Sequence, residues 1–247
     1  LYNHTEVSKD TLQKMVTIIN HRGPDEFGFY KDKQIGFGHS RLSIIDLSGG
    51  QQPMSNEDKT VWITFNGEIF NFLELRKDLE KKGHRFATHS DTEVIIHLYE
   101  DYGTQCIQFL NGQFAFAIWD KNREELFLAR DRMGIRPLFY AVTQGRFYFA
   151  SEIKAIFATG EVSREIVHIA LDQIFTLWCT IPPRTAFKEV FELPPGHYLI
   201  VTDSKINEGE YWDIVFTIVF LASISSDEPA TFDAKTTPDS NDTATAP

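Results

Sequence analysis

The spacing of apolar residues predicts five helices within the first 212 positions. Leu12, Met15, Val16 and Ile19 recur at helical spacing after Ser8, which is a good N-cap residue. The same reasoning places a Gly83 C-cap after a second helix, and a Ser90 to Glu93 capping box before a third. The five predicted helices span residues 8–20, 71–82, 92–102, 152–158 and 165–178.

Strands are predicted where β-branched and aromatic residues cluster between turn residues. Four such runs follow each other closely between residues 112 and 152: QFAFAIWD, ELFLARD, PLFYAV and RFYFASE. Their short separation predicts an antiparallel meander. Further strands are predicted at residues 27–30, 35–45, 61–65 and 196–202. Because helices flank and interrupt these strands, the pattern favours an α+β fold over a parallel α/β fold.

Beyond residue 212 the pattern of the sequence changes. Residues 214–222 form an uncharged apolar run, and residues 225–247 are rich in Ser, Thr, Asp and Pro. Such a polar segment lacks the apolar content that offsets the entropy of ordering. We therefore expect one domain at residues 1–212, followed at 213–247 by an apolar run and a disordered acidic tail that is not a domain.

Composition narrows the classes of function. The 247 residues carry a net charge of −11, and no cluster of Lys or Arg forms a phosphate-binding face, so nucleic acid is not an expected partner. The longest apolar run is about half of a membrane span. The two cysteines, Cys106 and Cys179, have neither disulfide nor metal-ligand spacing, and residues 1–8 do not resemble a signal peptide. These features favour a cytoplasmic protein with no membrane partner.

The stretch VWITFNGEIFN at residues 61–71 carries the first candidate chemistry. We expect the strand to end at Asn66 and Gly67, since this dipeptide readily adopts positive φ. One interpretation is an ordinary tight turn. The other is an oxyanion hole, because a side-chain amide and an unhindered backbone N–H then point the same way and supply two fixed donors.

Two charged residues also have a structural and a functional interpretation. Arg41 lies in an apolar strand, where an unpaired guanidinium is costly, so it needs an anionic partner. That partner is either an internal carboxylate or the carboxylate of a ligand. Asp91 opens a helix and either complements the helix dipole or binds a cation. The HRGPD segment at residues 21–25 is typical of a solvated turn.

Read in order, the motifs are much more specific than any one alone. They are HRGPD at 21, GHSRLSIID at 38, FNGEIFN at 65, SDTEV at 90, GQFAFAIWD at 112, ARDRMGIRPLFY at 129 and FASEIKAI at 149. This series resembles the glutamine amidotransferase domain of asparagine synthetases, a class II amidotransferase, over about residues 1–212. The resemblance implies the N-terminal-nucleophile hydrolase fold, a layered αββα sandwich of antiparallel sheets.

The resemblance also implies residue roles. The side chain of Asn66 and the N–H of Gly67 form the oxyanion hole that stabilises the tetrahedral intermediate. Arg41 binds the α-carboxylate of glutamine, and Asp91 binds its α-ammonium with help from Glu68. The wall of the pocket comes from four consecutive residues, Leu42, Ser43, Ile44 and Ile45. No metal or other cofactor is expected in this domain.

The chain also departs from the family pattern. The nucleophile of the family is a cysteine at the mature N-terminus, and its own α-amine serves as the base; neither Cys106 nor Cys179 has this position. No Ser-Gly-Gly loop for ATP follows residue 213, so ATP and Mg²⁺ are expected only in a separate synthetase domain of a parent enzyme. We therefore expect an N-terminally truncated glutaminase domain without activity. The alternative is a non-catalytic module that binds glutamine or a partner protein.

Overall fold

The computed structural model describes residues 2–3, 7–42, 46 and 49–214. By its contacts the chain divides into two units, Leu1–Asp213 and Ile214–Pro247. Of the second unit only Ile214 is described, so the predicted apolar run and disordered tail lie outside the described residues, apart from that residue. Within the described residues, no helix combines the length and apolar character that crossing a membrane requires.

The first unit contains the following elements. The helices are α1 (Lys9–Thr17), α2 (Phe72–Lys81), α3 (Asp91–Tyr102), α4 (Ile153–Phe157) and α5 (His168–Leu177). The strands are β1 (Tyr2–Asn3), β2 (Glu26–Lys31), β3 (Gly36–Arg41), β4 (Met54–Ser55), β5 (Val61–Ile69), β6 (Gly112–Asp120), β7 (Glu125–Arg130), β8 (Phe139–Thr143), β9 (Arg146–Ala150), β10 (Phe191–Glu192), β11 (His197–Val201) and β12 (Ile206–Glu210).

The first sheet has the described strands in the order β12-β11-β7-β6-β5-β4, all antiparallel. Alternation along β6 sends Phe116 to one face and Ala117 to the other. The Phe116 face packs against apolar side chains of α2 and α3, including Leu79 and Ile95. The opposite face packs against residues of the second sheet layer, such as Phe147. The sheet is therefore covered on both sides.

The second layer contains the sheet β1-β9-β8-β10 and the hairpin β2-β3. Its outer face packs on α1 and α4, where Leu12 and Ile156 share a cluster with Ala141 of β8. Helices thus lie outside two stacked antiparallel sheets. The predicted α+β class and the αββα layering are confirmed.

The predicted end of a strand at Asn66 and Gly67 is wrong. β5 continues through both residues to Ile69, and all nine of its residues pair with β6, Gly67 opposite Phe114. A Cβ on Gly67 would lie 2.1 Å from the carbonyl oxygen of Gln113, so glycine is needed here for the close approach of β6. The pairing of β5 with β6 therefore outweighs the local preference of Asn66 and Gly67 for a turn.

The predicted four-stranded meander is also wrong. β6 and β7 pair in the first sheet, whereas β8 and β9 pair in the second. The chain crosses between the layers after β7, at a loop held by the buried carboxylate of Asp131. That carboxylate accepts backbone N–H bonds from four residues of this loop and of β6, namely Phe114, Met133, Ile135 and Arg136.

Several predicted boundaries differ from those observed. β3 ends at Arg41 rather than at residue 45, and α5 begins at His168 because Ile166 forms a β-bridge with Phe187. The Ser90 cap is present, but Glu93 does not complete a capping box. Its carboxylate instead accepts from the N–H groups of Ala87 and Thr88. The unpredicted strands β1, β4, β10 and β12 are two to five residues long, and β12 is mostly exposed.

Candidate functional site

A cavity of about 280 Å³ is lined by residues from both sheet layers and from α1 and α3. The predicted site residues that line it are Arg41, Leu42, Asn66, Gly67, Glu68 and Asp91. Ser43, Ile44 and Ile45 lie outside the described residues. The cavity therefore brings together side chains from three motifs that are far apart in sequence.

The edge of β5 supplies the hydrogen-bond donors of this cavity. β4 pairs only with Trp62 and Ile63, so it does not cover the edge from Phe65 onward. The N–H of Phe65 is bonded to the side-chain oxygen of Gln52 at 2.6 Å, and that of Ile69 to Asp91 Oδ2 at 3.0 Å. Alternation along an antiparallel strand puts the N–H of Gly67 on the same edge, between these two.

Asn66 provides a second donor beside this edge. Its Nδ2 atom is buried and has no hydrogen-bond partner among the described residues. A buried amide donor without a partner is costly, about 1–3 kcal/mol. A ligand oxygen in the cavity is one group that can satisfy it, and an anionic oxygen gains most from such donors.

Asp91 is the first residue of α3 and is 4% exposed. Burial raises the pKa of its carboxyl group, the N–H bonds from Ile69 and the helix oppose this shift, and the charge of Glu68 adds to it. Oδ2 accepts the Ile69 N–H, and Oδ1 lies 3.5 Å from Ser90 Oγ. A cation placed beside Oδ1 would stabilise the ionised carboxylate.

Arg41 ends β3 and is 6% exposed. Its guanidinium donates to Glu26 Oε2 at 3.2 Å, directly across the β2-β3 ladder, and to the carbonyl oxygen of Asp46 at 2.6 Å. The internal carboxylate partner considered from the sequence is therefore present. The same arginine also lines the cavity, so its positive charge contributes there.

Among the lining residues that were not singled out from the sequence, three have informative contacts or charge. Gln52 bridges the β5 edge to α3, because its Nε2 donates to Thr92 Oγ1 while its Oε1 accepts from Phe65. Burial, and then the charge of Arg41, lower the pKa of His39 to about 4, so this ring is neutral at neutral pH. Arg136 has a buried Nε without a hydrogen-bond partner among the described residues. His39 and Arg136 belong to the GHSR and IRPLFY segments, which could have pointed to them.

The HRGPD segment contacts another motif rather than standing alone in solvent. Arg22 and His21 both lie within hydrogen-bond distance of Glu152 Oε1, at 3.3 and 3.0 Å. Glu152 belongs to the FASEIKAI segment before α4. This ion-pair cluster joins the end of α1 to α4, with Arg22 at the wall of the cavity.

Neither cysteine lines the cavity. Cys106 is fully buried in the core between the first sheet and its helices, and burial raises the pKa of its thiol well above the usual range. Cys179 is exposed after α5. A thiol nucleophile for a reaction in this cavity is therefore not among the described residues.

The chain is similar to known proteins over most of its length. The profile of the glutamine amidotransferase domain family matches residues 1–212. Asparagine synthetase [glutamine-hydrolyzing] 3 of Bacillus subtilis is 40% identical over 209 residues, covering 83% of this chain and 34% of that protein. Amidase chyE of Penicillium rubens is 42% identical over 212 residues, covering 84% of this chain and 30% of that protein. The chain thus spans about a third of the length of these relatives.

A solved structure extends the likeness to three dimensions. The glutamine phosphoribosylpyrophosphate amidotransferase of B. subtilis, complexed with ADP and GMP, is 25% identical with a TM-score of 0.55. The match covers 75% of this chain and 37% of that one. Together with the αββα layers, this confirms the N-terminal-nucleophile hydrolase fold. The chain therefore belongs to the glutamine amidotransferase domain family and has glutamine-hydrolyzing asparagine synthetases among its relatives.

Proposed function

We propose that this chain is the glutaminase domain of a glutamine-dependent asparagine synthetase that works in the cytoplasm. Glutamine is hydrolysed there to glutamate and ammonia, and the ammonia is used for the ATP-dependent amidation of aspartate. The observation that carries this proposal is that a buried amide without a hydrogen-bond partner among the described residues, Asn66 Nδ2, lies next to the β5 edge at Gly67, which the described part of β4 does not cover. Two adjacent fixed donors are what a developing oxyanion requires.

The charges around these donors fit an amino-acid substrate. In the proposal, the carboxylate of Asp91 binds the α-ammonium of glutamine, with Glu68 adding negative potential. The guanidinium of Arg41 binds the α-carboxylate, and Leu42 to Ile45 form the wall. A planar guanidinium suits carboxylate recognition, and the buried aspartate gains from a cationic partner.

The remaining parts of the reaction are proposed to come from outside the described residues. The nucleophilic cysteine with its free α-amine precedes Leu1 in this proposal, because neither Cys106 nor Cys179 lines the cavity. ATP and Mg²⁺ belong to a synthetase domain, which is also the partner that consumes the ammonia. Relatives named as synthetase and as amidase share this domain, and the synthetase relatives support aspartate as the proposed acceptor.

Glutamine binding can be tested by calorimetric titration of the 247-residue chain. Charge-assisted contacts are worth about 1.5–3 kcal/mol each, so Arg41→Ala should weaken glutamine binding by about tenfold or more. Arg146→Ala is a matched control, because Arg146 pairs with Glu161 in the second layer and does not line the cavity. Equal glutamine affinity in the wild type and Arg41→Ala would contradict the assignment.

The second candidate is a non-catalytic module that binds glutamine, which is favoured by the absence of both cysteines from the lining of the cavity. The two candidates predict different results for an extended chain, in which the cysteine segment of the family is added before Leu1. Only the glutaminase should then release ammonia from glutamine. If the extended chain releases ammonia from glutamine and its Asn66→Ala variant does not, the glutaminase assignment holds. If the extended chain binds glutamine without turnover, the binding module is the better description.

A further inference from the structure

A second cluster of polar side chains lies away from the cavity, where the segment after α2 packs against α3. His84 follows α2, while His97 and Glu100 lie one turn apart on α3. His84 Nδ1 and His97 Nδ1 are 3.1 Å apart. Glu100 Oε2 is 2.8 Å from His97 Nδ1 and 3.6 Å from His84 Nδ1. Three donor atoms thus form a small triangle.

The size of this triangle fits one metal ion. Tetrahedral zinc has bonds of about 2.0–2.2 Å to histidine nitrogen and carboxylate oxygen, which separates neighbouring donor atoms by about 3.4 Å. The three observed separations lie on both sides of that value. Moreover, two ring nitrogens at 3.1 Å cannot both carry a proton, so at least one of them has a free lone pair at the triangle.

The groups around the triangle are arranged as in a metal site. His84 Nε2 is 3.0 Å from Asp101 Oδ1, so a carboxylate can hold the ring with Nδ1 as the ligand atom. The other oxygen of Glu100 accepts from Asn56 Nδ2 at 2.8 Å. Outer partners of this kind fix the orientation of metal ligands and raise their basicity.

The second nitrogen of His97 and the charge of the neighbouring side chains also favour a bound cation. His97 is 1% exposed, and its Nε2 has no hydrogen-bond partner among the described residues; Glu93 Oε1 lies 3.8 Å away. Three carboxylates surround the two rings, while the nearby Lys82 pairs with Asp101. The side chains of His84 and Glu100 are 18% and 25% exposed, which leaves a route for an ion and a place for a water ligand.

We propose that His84, His97 and Glu100 bind a divalent transition-metal ion, with zinc as the best match to two imidazoles and one carboxylate. Three protein ligands and one water complete a tetrahedral site. The bound ion links residues 83–90, which lead into Asp91, to the middle of α3. Its role is structural, and it is independent of the reaction proposed for the cavity.

The test is a titration of the chelator-treated 247-residue chain with zinc alone, in competition with a chromophoric chelator. We expect one tight equivalent and a higher Tm with zinc. His84→Gln and Glu100→Gln should abolish both effects, and Asp101→Asn should weaken zinc binding by about 10–100-fold. His168→Gln, which changes an exposed histidine on α5, should bind like the wild type, and Mg²⁺ should not compete.

Both ligand variants change partly exposed side chains, and circular dichroism of the metal-free proteins checks that they fold. If one of them does not fold, the other carries the test. Cobalt provides a second measurement, because its visible spectrum reports the ligand set and should change in each ligand variant. The proposal is overturned if the wild type binds no tight equivalent of zinc, or if folded His84→Gln or Glu100→Gln binds zinc as tightly as the wild type.

Discussion

Replacing Asp91 by asparagine separates the proposed binding role of this residue from its structural role. The two side chains have nearly the same shape, and the asparagine oxygen can still accept the Ile69 N–H bond, which is 3.0 Å long in the wild type. The new amide group then faces Ser90 Oγ, which is 3.5 Å from the other carboxylate oxygen. The variant therefore loses a negative charge and keeps the contact with the Ile69 N–H.

The charge should matter for glutamine binding and little for folding. A charge-assisted hydrogen bond is worth about 1.5–3 kcal/mol, so we expect the affinity for glutamine to fall by about ten- to a hundredfold. Asp91 is buried, and in the absence of a ligand its charge is destabilised by burial. The free energy of unfolding at neutral pH should therefore stay equal or rise in Asp91→Asn.

The pH dependence of stability gives an independent check. Because burial raises the pKa of Asp91, the folded chain holds this proton to a higher pH than the unfolded chain does. The stabilising contribution is complete below the unfolded pKa of about 3.9 and is lost as the pH rises through the raised folded pKa. Asparagine does not titrate, so the stability of Asp91→Asn relative to the wild type should increase over that interval.

The assay combines calorimetric titration of glutamine with urea unfolding at several pH values. Asp10→Asn is the matched control, since Asp10 also lies in the first turn of a helix but is exposed and paired with Lys14. It should leave glutamine affinity unchanged. If Asp91→Asn binds glutamine as well as the wild type, or if it loses affinity only in proportion to lost stability, the ammonium-binding role is refuted.

Three further predictions follow from individual contacts. Gly67→Ala should lower the free energy of unfolding by about 1–3 kcal/mol in urea, since its Cβ would lie 2.1 Å from Gln113 O. Asp131→Asn should lower it by about 2–4 kcal/mol, because an amide group then faces backbone N–H donors; Asp58→Asn, at an exposed turn, should have little effect. The 247-residue chain should release no more ammonia from glutamine than its Asn66→Ala variant, which an enzyme-coupled ammonia assay can measure.

Local signals predicted much of the secondary structure, because caps and periodicity act over a few residues. Ser8 caps α1 through a hydrogen bond from the Thr11 N–H, and Gly103 closes α3 with φ of 56°. The assignment of strands to sheets could not be predicted in this way. Alternation decides which face of a strand is apolar, but the crossing between the layers after β7 depends on the contact of Asp131 with the distant Phe114.

The residues of the candidate site could likewise be predicted only in part from local sequence signals. For Arg41, Asn66 and Asp91 the residues alone favoured a structural role, and only the order of the motifs pointed to a shared site. The structure places these residues around one cavity. Gln52 gave no local signal, because its function depends on Phe65 and Thr92, which are 13 and 40 residues away. A side chain that supports others through distant contacts is not visible in a single sequence.

The open edge of β5 explains why the donors in the cavity are available at all. If β4 began several residues before Met54, its carbonyl groups would pair with the N–H of Gly67, and that donor would be lost to the sheet. The short β4 leaves this edge uncovered, while Gln52 and Asp91 satisfy the flanking N–H groups of Phe65 and Ile69. Beside this edge, the Nδ2 atom of Asn66 is buried and has no hydrogen-bond partner among the described residues. Donors held in this way need no reorganisation when negative charge develops next to them.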